Sequence, residues 1–148
     1  MIRTASGLIL RYMKAFGFQG WTSFWGVIYM APGYELHQGL IRHERKHLEQ
    51  MERDGIPPGA REWEIALQVS EAEATAWSWA AGKAAGLPDA EIIEDWCFND
   101  EGALTRTMLA SRSHYGINGL AHAGFCRTSN SDRRVGVVYP ALNFWLQP

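Results

Sequence analysis

The spacing of apolar and polar positions is clearest in the segment from Glu35 to Arg53. Its apolar and imidazole side chains recur at steps of three and four residues, the period of one helical face: Leu36, Leu40, His43, His47 and Met51. Gly and Pro residues cluster directly after Arg53, and such residues stop a helix. The pattern therefore predicts an amphipathic helix from Glu35 to Arg53.

Weaker patterns elsewhere predict three more helices and two strands. The helices are predicted from Ala60 to Ala85, with a break at Ser70, from Asp89 to Phe98, and from Glu101 to Arg112. Runs of β-branched and aromatic residues bounded by turn residues predict strands over Phe24–Met30 and Val135–Tyr139, and Thr128–Asp132 is typical of a loop. We expect an α+β fold in which a helical core is flanked by a small antiparallel sheet.

Length and charge narrow the classes of protein that fit. A chain of 148 residues without repeats or linkers predicts a single domain over residues 1–148. The net charge of −2 gives no basic surface for a phosphate backbone, so nucleic acid is not an expected partner. The uncharged stretch from Ala15 to Tyr34 contains too many Gly, Pro and polar residues for a membrane span. The first residues lack the apolar core of an export signal, which favours the cytoplasm.

The segment from His43 to His47 reads His-Glu-Arg-Lys-His, an HExxH motif inside the best predicted helix. Residues four apart share a helical face, so both imidazoles can reach one tetrahedral zinc ion while Glu44 lies beside a water on that ion. With five His in the chain, the motif has a chance probability of about 1%. It predicts two metal ligands and a general base, whereas a solvated charged helix face is the plainer alternative.

A catalytic zinc site needs a third protein ligand. Gln50 and Arg53 stand where an extended HExxHxxGxxH motif has Gly and His, so a metzincin is excluded. The other common solution is a Glu on the following helix. Glu71 lies on a helical line with positions that should face the first helix, and Glu73 is the second candidate. The spacing of Ser70 and Glu73 also fits an N-terminal capping box, which gives Glu73 a structural explanation and favours Glu71 as the ligand, with Glu73 as the alternative.

These two segments together resemble the gluzincin group of zinc metallopeptidases in a minimal form. The HExxH motif is followed by Glu71-Ala72-Glu73-Ala74-Thr75, similar to the Glu-x-x-Ala-Asp motif of that group, in which the first Glu is a ligand. The resemblance implies zinc bound by His43, His47 and Glu71. Thr75 stands where the group has an Asp that hydrogen-bonds a ligating His. The chain also resembles small phage and bacterial zincin-like proteins.

The resemblance implies hydrolysis of peptide bonds in a peptide or protein substrate, with Glu44 as general base. It implies an edge strand ahead of the HExxH helix that aligns the substrate, for which Phe24–Met30 is the expected element. His114 or Tyr115 is a candidate oxyanion donor, although a surface or loop role fits this pair better. Aromatic residues of segments 16–29 and 139–145 are expected to wall the site.

Two other functions share these residues. A noncatalytic binding protein stabilised by zinc needs the same ligands but no open coordination position. A peptidoglycan cross-link endopeptidase, delivered by a phage, has the same chemistry on another substrate. The sequence says nothing about oligomeric state.

Overall fold

A computed structural model of the chain describes residues 1–23, 25–53, 55 and 67–145. Within these ranges it contains the strands β1 (Ile2–Thr4), β2 (Gly20–Thr22) and β3 (Ile28–Met30). Its helices are α1 (Gly7–Phe16), α2 (Gln38–Arg53), α3 (Leu67–Ala84), α4 (Asp89–Ile92), α5 (Cys97–Asp100), α6 (Gly102–Ala110) and α7 (Gly116–His122). The predicted α+β class is confirmed. Among the described helices, none is both long and apolar enough to cross a membrane.

The three strands form one small sheet in the order β1-β3-β2. β3 pairs in parallel with β1, where Ile2 lies opposite Ile28, and antiparallel with β2, where Gly20 lies opposite Met30. The sheet is therefore mixed, and the expectation of an antiparallel sheet is wrong in this respect. The reason is that α1 and β2 separate β1 from β3, which gives the crossover that a parallel pair needs.

Two helices cover opposite faces of this sheet. On one face Tyr29 packs with Met13 of α1. On the other face Ile28 and Met30 pack with Ile41 of α2. Strand β2 consequently forms a sheet edge that lies between α1 and α2.

The strand predicted over Phe24–Met30 is shorter in the structure. Only its last three residues form β3, and Phe24 lies outside the described residues. The backbone N–H of Ser23 donates to the carbonyl oxygen of Val27 at 2.9 Å, which closes a turn between β2 and β3. Gly26 in this turn has a φ of 81°, a left-handed conformation that glycine adopts without strain. The run of aromatic and β-branched residues predicts one continuous strand here, so the turn was not expected.

Helix α2 begins at Gln38, slightly later than predicted, and ends at Arg53 as predicted. The backbone N–H of Leu40 donates to Nδ1 of His37 at 3.1 Å, so this imidazole satisfies one of the free donors of the first turn. Leu36 precedes the helix and is 85% exposed. Its assignment to the apolar helical face is therefore wrong.

Helix α3 is the centre of the larger hydrophobic core. Ala76 and Trp79 are buried there with Ile92 of α4 and Leu120 of α7. The helix runs through Ser70 without the predicted break. The predicted helical residues 60–66 lie outside the described part of the chain.

The chain after α3 departs most from the sequence prediction. The helix predicted from Asp89 to Phe98 is divided into α4 and α5, and Phe98 and Asn99 both have a φ of 57°, in the left-handed region. The predicted helix from Glu101 to Arg112 is confirmed as α6. Helices α1 and α7, and strands β1 and β2, were not predicted.

The strand predicted over Val135–Tyr139 is also wrong. Its one described pairing is an isolated bridge between Arg127 and Val138. The expected loop over Thr128–Asp132 contains no helix or strand. Cys97 and Cys126 are free thiols.

Gly116 begins α7 directly against α3, and this contact is testable. A Cβ at Gly116 would lie 1.8 Å from the carbonyl oxygen of Ala72. Gly116→Ala must push the two helices apart and is expected to lower the free energy of unfolding by about 1–3 kcal/mol, measured by urea denaturation. Asn118→Ala, at an exposed position of the same helix, should change it by less than about 0.5 kcal/mol. If Gly116→Ala changed the free energy of unfolding as little as Asn118→Ala does, the packing of α7 on α3 would be contradicted.

Candidate metal centre

The two histidines of the HExxH motif meet a glutamate of the next described helix. His43 and His47 lie one turn apart on α2, and their Nε2 atoms are 3.1 Å apart. Glu71 of α3 places Oε2 at 2.9 Å from Nε2 of His43 and Oε1 at 2.9 Å from Nε2 of His47. The three side chains therefore converge on one point between the two helices.

The donor set and its geometry fit a zinc ion. Two imidazole nitrogens and one carboxylate oxygen are the ligands of many catalytic zinc sites, which leave a fourth position open. Tetrahedral zinc ligands lie roughly 3.3 Å from one another, and the ligand atoms of this group all lie within 4.8 Å. The Glu71 side chain is 47% exposed, whereas His43 and His47 are 14% and 6% exposed. The group is thus open to solvent on the Glu71 side.

The electrostatics of the group keep Glu71 ionised. The partial burial of Glu71 favours the neutral carboxyl, but the positive charge of His43 and hydrogen bonds from both imidazoles hold the pKa of Glu71 well below its usual range. Burial also lowers the pKa of His47, yet its hydrogen bond to Glu71 and the charge of that carboxylate raise the pKa to about 9. A divalent cation can take the place of these protons, because the same three groups then face one positive charge.

Gln50 orients one of the two imidazoles. Its side-chain Oε1 lies 2.8 Å from Nδ1 of His47, and Gln50 is fully buried. Because an amide oxygen only accepts, Nδ1 carries the proton and Nε2 is left for a metal. The gluzincin resemblance places such a partner at position 75, which is Thr75 in this chain, and Gln50 was not predicted. Residues three apart share a helical face, so the step from His47 to Gln50 was the available signal.

Glu44 lies on the side of α2 that faces the sheet. It is 6% exposed, and Thr22 of β2 places its hydroxyl 2.6 Å from Oε2 and 2.8 Å from the backbone carbonyl oxygen of Glu44. Gly20 packs against the same carboxylate, since a Cβ there would lie 2.9 Å from Oε1. Glu44 is therefore held by β2 and lines the same cleft as the two histidines and Glu71.

Glu73 points to another side of α3. Its carboxylate accepts hydrogen bonds from Arg53 at 2.6 and 3.3 Å, and it lies 3.5 Å from the ammonium group of Lys46. It is 4% exposed and takes no part in the group of His43, His47 and Glu71. Ser70 lies inside α3, so the capping-box interpretation of Ser70 and Glu73 is wrong.

The group lies in a cleft of about 850 Å³ between α1, β2, α2 and α3. Aromatic side chains form much of its wall: Tyr12, Phe16, Phe18, Trp21, Trp25, Trp96 and Phe98. The expected contribution of segment 16–29 is confirmed. Segment 139–145 does not line the cleft, because Tyr139 is buried in the helical core and donates its hydroxyl proton to the carbonyl oxygen of Ala76 at 2.8 Å. The composition predicted aromatic walls, but it did not determine which aromatic segments face the cleft.

The other histidines lie apart from the three ligand atoms. His114 accepts a hydrogen bond at Nδ1 from the backbone N–H of Gly116 at 3.2 Å, and burial lowers its pKa. Neither His114 nor Tyr115 lines the cleft, so the oxyanion role considered for them is not available in this conformation. His37 lines the cleft wall and lies 3.1 Å from a carboxylate oxygen of Glu94.

Comparison of the chain with protein-family models, curated protein sequences and solved structures finds no match.

Exchange of each glutamate for alanine distinguishes their roles. Glu71→Ala removes the acidic ligand, so zinc binding measured by mass spectrometry and calorimetry should fall from about one ion per chain to near zero. Glu73→Ala should keep zinc but lower the free energy of unfolding by about 3 kcal/mol, because it leaves Lys46 and Arg53 without their shared carboxylate. If Glu73→Ala lost zinc and Glu71→Ala kept it, Glu73 would be the ligand.

Gln50 provides a separate test of ligand orientation. Gln50→Leu replaces the buried amide with an apolar side chain of similar size and so removes the acceptor for Nδ1 of His47. Zinc affinity should fall about 10- to 100-fold, as measured by competition with a coloured chelator. Gln38→Leu, at an exposed position at the start of α2, is the matched control and should leave affinity unchanged. An equal affinity in Gln50→Leu and the parent protein would exclude the orienting role.

Proposed function

We propose that this protein is a zinc-dependent hydrolase of peptide bonds, with His43, His47 and Glu71 as metal ligands and Glu44 as general base. The observation that carries the proposal is the position of Glu44. Its buried carboxylate borders the same cleft as the three ligand side chains and is held from β2 by Thr22. A purely structural zinc site needs neither an acidic side chain of this kind nor an open cleft.

The zinc ion would serve as a Lewis acid towards a water molecule and a peptide carbonyl group. Glu44 would accept the proton of that water and pass it to the leaving amine. The hydroxyl of Thr22 lies 2.6 Å from Oε2 of this carboxylate and would hold the Glu44 side chain in place. Gln50 would hold the ring of His47 in the plane that its ligand role needs.

Strand β2 is the element that would align a substrate. The expected edge strand was Phe24–Met30, but β3 is the central strand and β2 is the edge beside the cleft. Trp21 forms a directly opposed pair with Tyr29 of β3. The backbone N–H of Ala31 donates to the carbonyl oxygen of Gln19 at 2.7 Å on one side of this pair, and the N–H of Ser23 donates to the carbonyl oxygen of Val27 at 2.9 Å on the other side. Because hydrogen-bonded positions alternate along an antiparallel strand, the backbone groups of Gly20 and Thr22 point outwards. An extended peptide can pair with those outward groups.

Exchange of Glu44 for glutamine tests the proposed chemistry. Glu44→Gln preserves the size of the side chain and leaves all three ligands in place, so the variant should bind zinc like the parent protein. Peptide hydrolysis should fall by about 10²- to 10⁴-fold, because the amide cannot accept the proton. Cleavage of a denatured protein substrate, followed by mass spectrometry with and without chelator, gives the measurement.

Glu52→Gln is the matched control for this experiment. Glu52 lies on the same helix, is exposed and does not line the cleft, so its exchange should leave hydrolysis unchanged. Hydrolysis by Glu44→Gln at the parental rate would exclude the mechanism. A zinc-loaded parent protein without activity on any peptide would leave zinc binding alone as the function.

A further inference from the structure

The first helix and the turn after it present an exposed aromatic surface to the cleft. Tyr12, Phe16 and Phe18 form this surface, called here the aromatic shelf, and are 43%, 63% and 39% exposed. Ring centroids lie 4.9 Å apart between Tyr12 and Phe16 and 5.8 Å apart between Phe16 and Phe18. All three side chains line the cleft that contains His43, His47 and Glu71. Clustered apolar exposure of this kind marks a binding surface.

The edge strand connects the shelf with the candidate metal centre. Neighbouring residues of a strand point to opposite faces of the sheet. Accordingly, Trp21 turns its ring to the α1 side, 4.9 Å from Tyr12, while Thr22 turns its hydroxyl to Glu44 on the α2 side. The shelf and Glu44 thus lie on opposite faces of one sheet edge.

An extended peptide added to this edge would obey the same alternation. Side chains at one set of alternate positions would face α2 and the candidate metal centre. Side chains at the other set would face α1 and meet the shelf. The shelf is therefore placed to contact a side chain next to the peptide bond that faces the candidate metal centre. Its aromatic rings favour a large apolar or aromatic side chain as the partner.

We propose that the aromatic shelf is the specificity surface of this protein and receives an aromatic or large aliphatic side chain of an extended peptide substrate. This inference rests on the proposed function, because the peptide is its occupant. The continuity of shelf, edge strand and ligand group within one cleft argues for a substrate segment as the occupant, and a second copy of this chain is an outcome of the test.

Peptide binding by the zinc-loaded Glu44→Gln variant tests the shelf without turnover. The probes are two capped decapeptides of Ala, Ser and Gly, identical except for Phe or Ala at one central position. Calorimetry should show about tenfold tighter binding of the Phe peptide. Adding Phe16→Ala to this variant should reduce the preference to less than about twofold, since the shelf loses its most exposed ring.

Matched variants control for unspecific loss of apolar surface. Leu8 and Leu36 are 80% and 85% exposed, but only Leu8 lines the cleft. Leu36→Ala should leave the preference for the Phe peptide unchanged, and Phe18→Ala should reduce it as Phe16→Ala does. Equal binding of both peptides, or a preference that survives both Phe substitutions, would overturn the inference. The same holds if sedimentation shows a dimer that Phe16→Ala dissociates and neither peptide binds.

Hydrolysis of the same two peptides by the parent protein separates this inference from the proposed function. Tighter binding of the Phe peptide without cleavage of either peptide would reject the hydrolase function but keep the shelf as a peptide-binding surface. Cleavage of both peptides at equal rates, with equal binding, would keep the hydrolase and reject the shelf.

Discussion

One carboxylate that faces two imidazoles across a helix pair is the interaction on which the site depends. Glu71 of α3 lies 2.9 Å from Nε2 of both His43 and His47 of α2. A displacement of either helix along its axis by one residue, about 1.5 Å, would break this arrangement. The packing of α2 on α3 therefore decides whether the chain has a metal centre at all.

A buried ionic cluster fixes the rotation of the same two helices. Lys46 is fully buried, pairs with Glu49 of its own helix and lies 3.5 Å from Glu73 of α3, which also binds Arg53. Burying these charges costs desolvation free energy. The cluster is satisfied in only one relative rotation of α2 and α3, because each charge needs its partner within reach. Because residues two apart on a helix point in different directions, engagement of Glu73 by this cluster turns Glu71 towards the histidines.

The sequence predicted the parts of the site that depend on local spacing. His43, Glu44 and His47 follow from the helical period alone. The choice between Glu71 and Glu73 did not, since it depends on which cations of α2 lie opposite each carboxylate. That information exists only once the helices are packed.

Other features of the fold gave even weaker signals. Strand β2 has only three residues, too few for a period, so neither the edge beside the cleft nor the contact of Thr22 with Glu44 could be predicted. Helix α1 was missed although it carries most of the aromatic shelf. The aromatic residues of 139–145 were predicted by composition to line the cleft, but Tyr139 is buried in the helical core and Phe144 packs against that core instead.

Anomalous diffraction at the zinc edge, from crystals of the protein grown with zinc, tests the central claim most directly. We expect one strong peak about 2.0–2.2 Å from Nε2 of His43, Nε2 of His47 and a carboxylate oxygen of Glu71. A peak at Glu73, or no peak between α2 and α3 in zinc-saturated crystals, would contradict it.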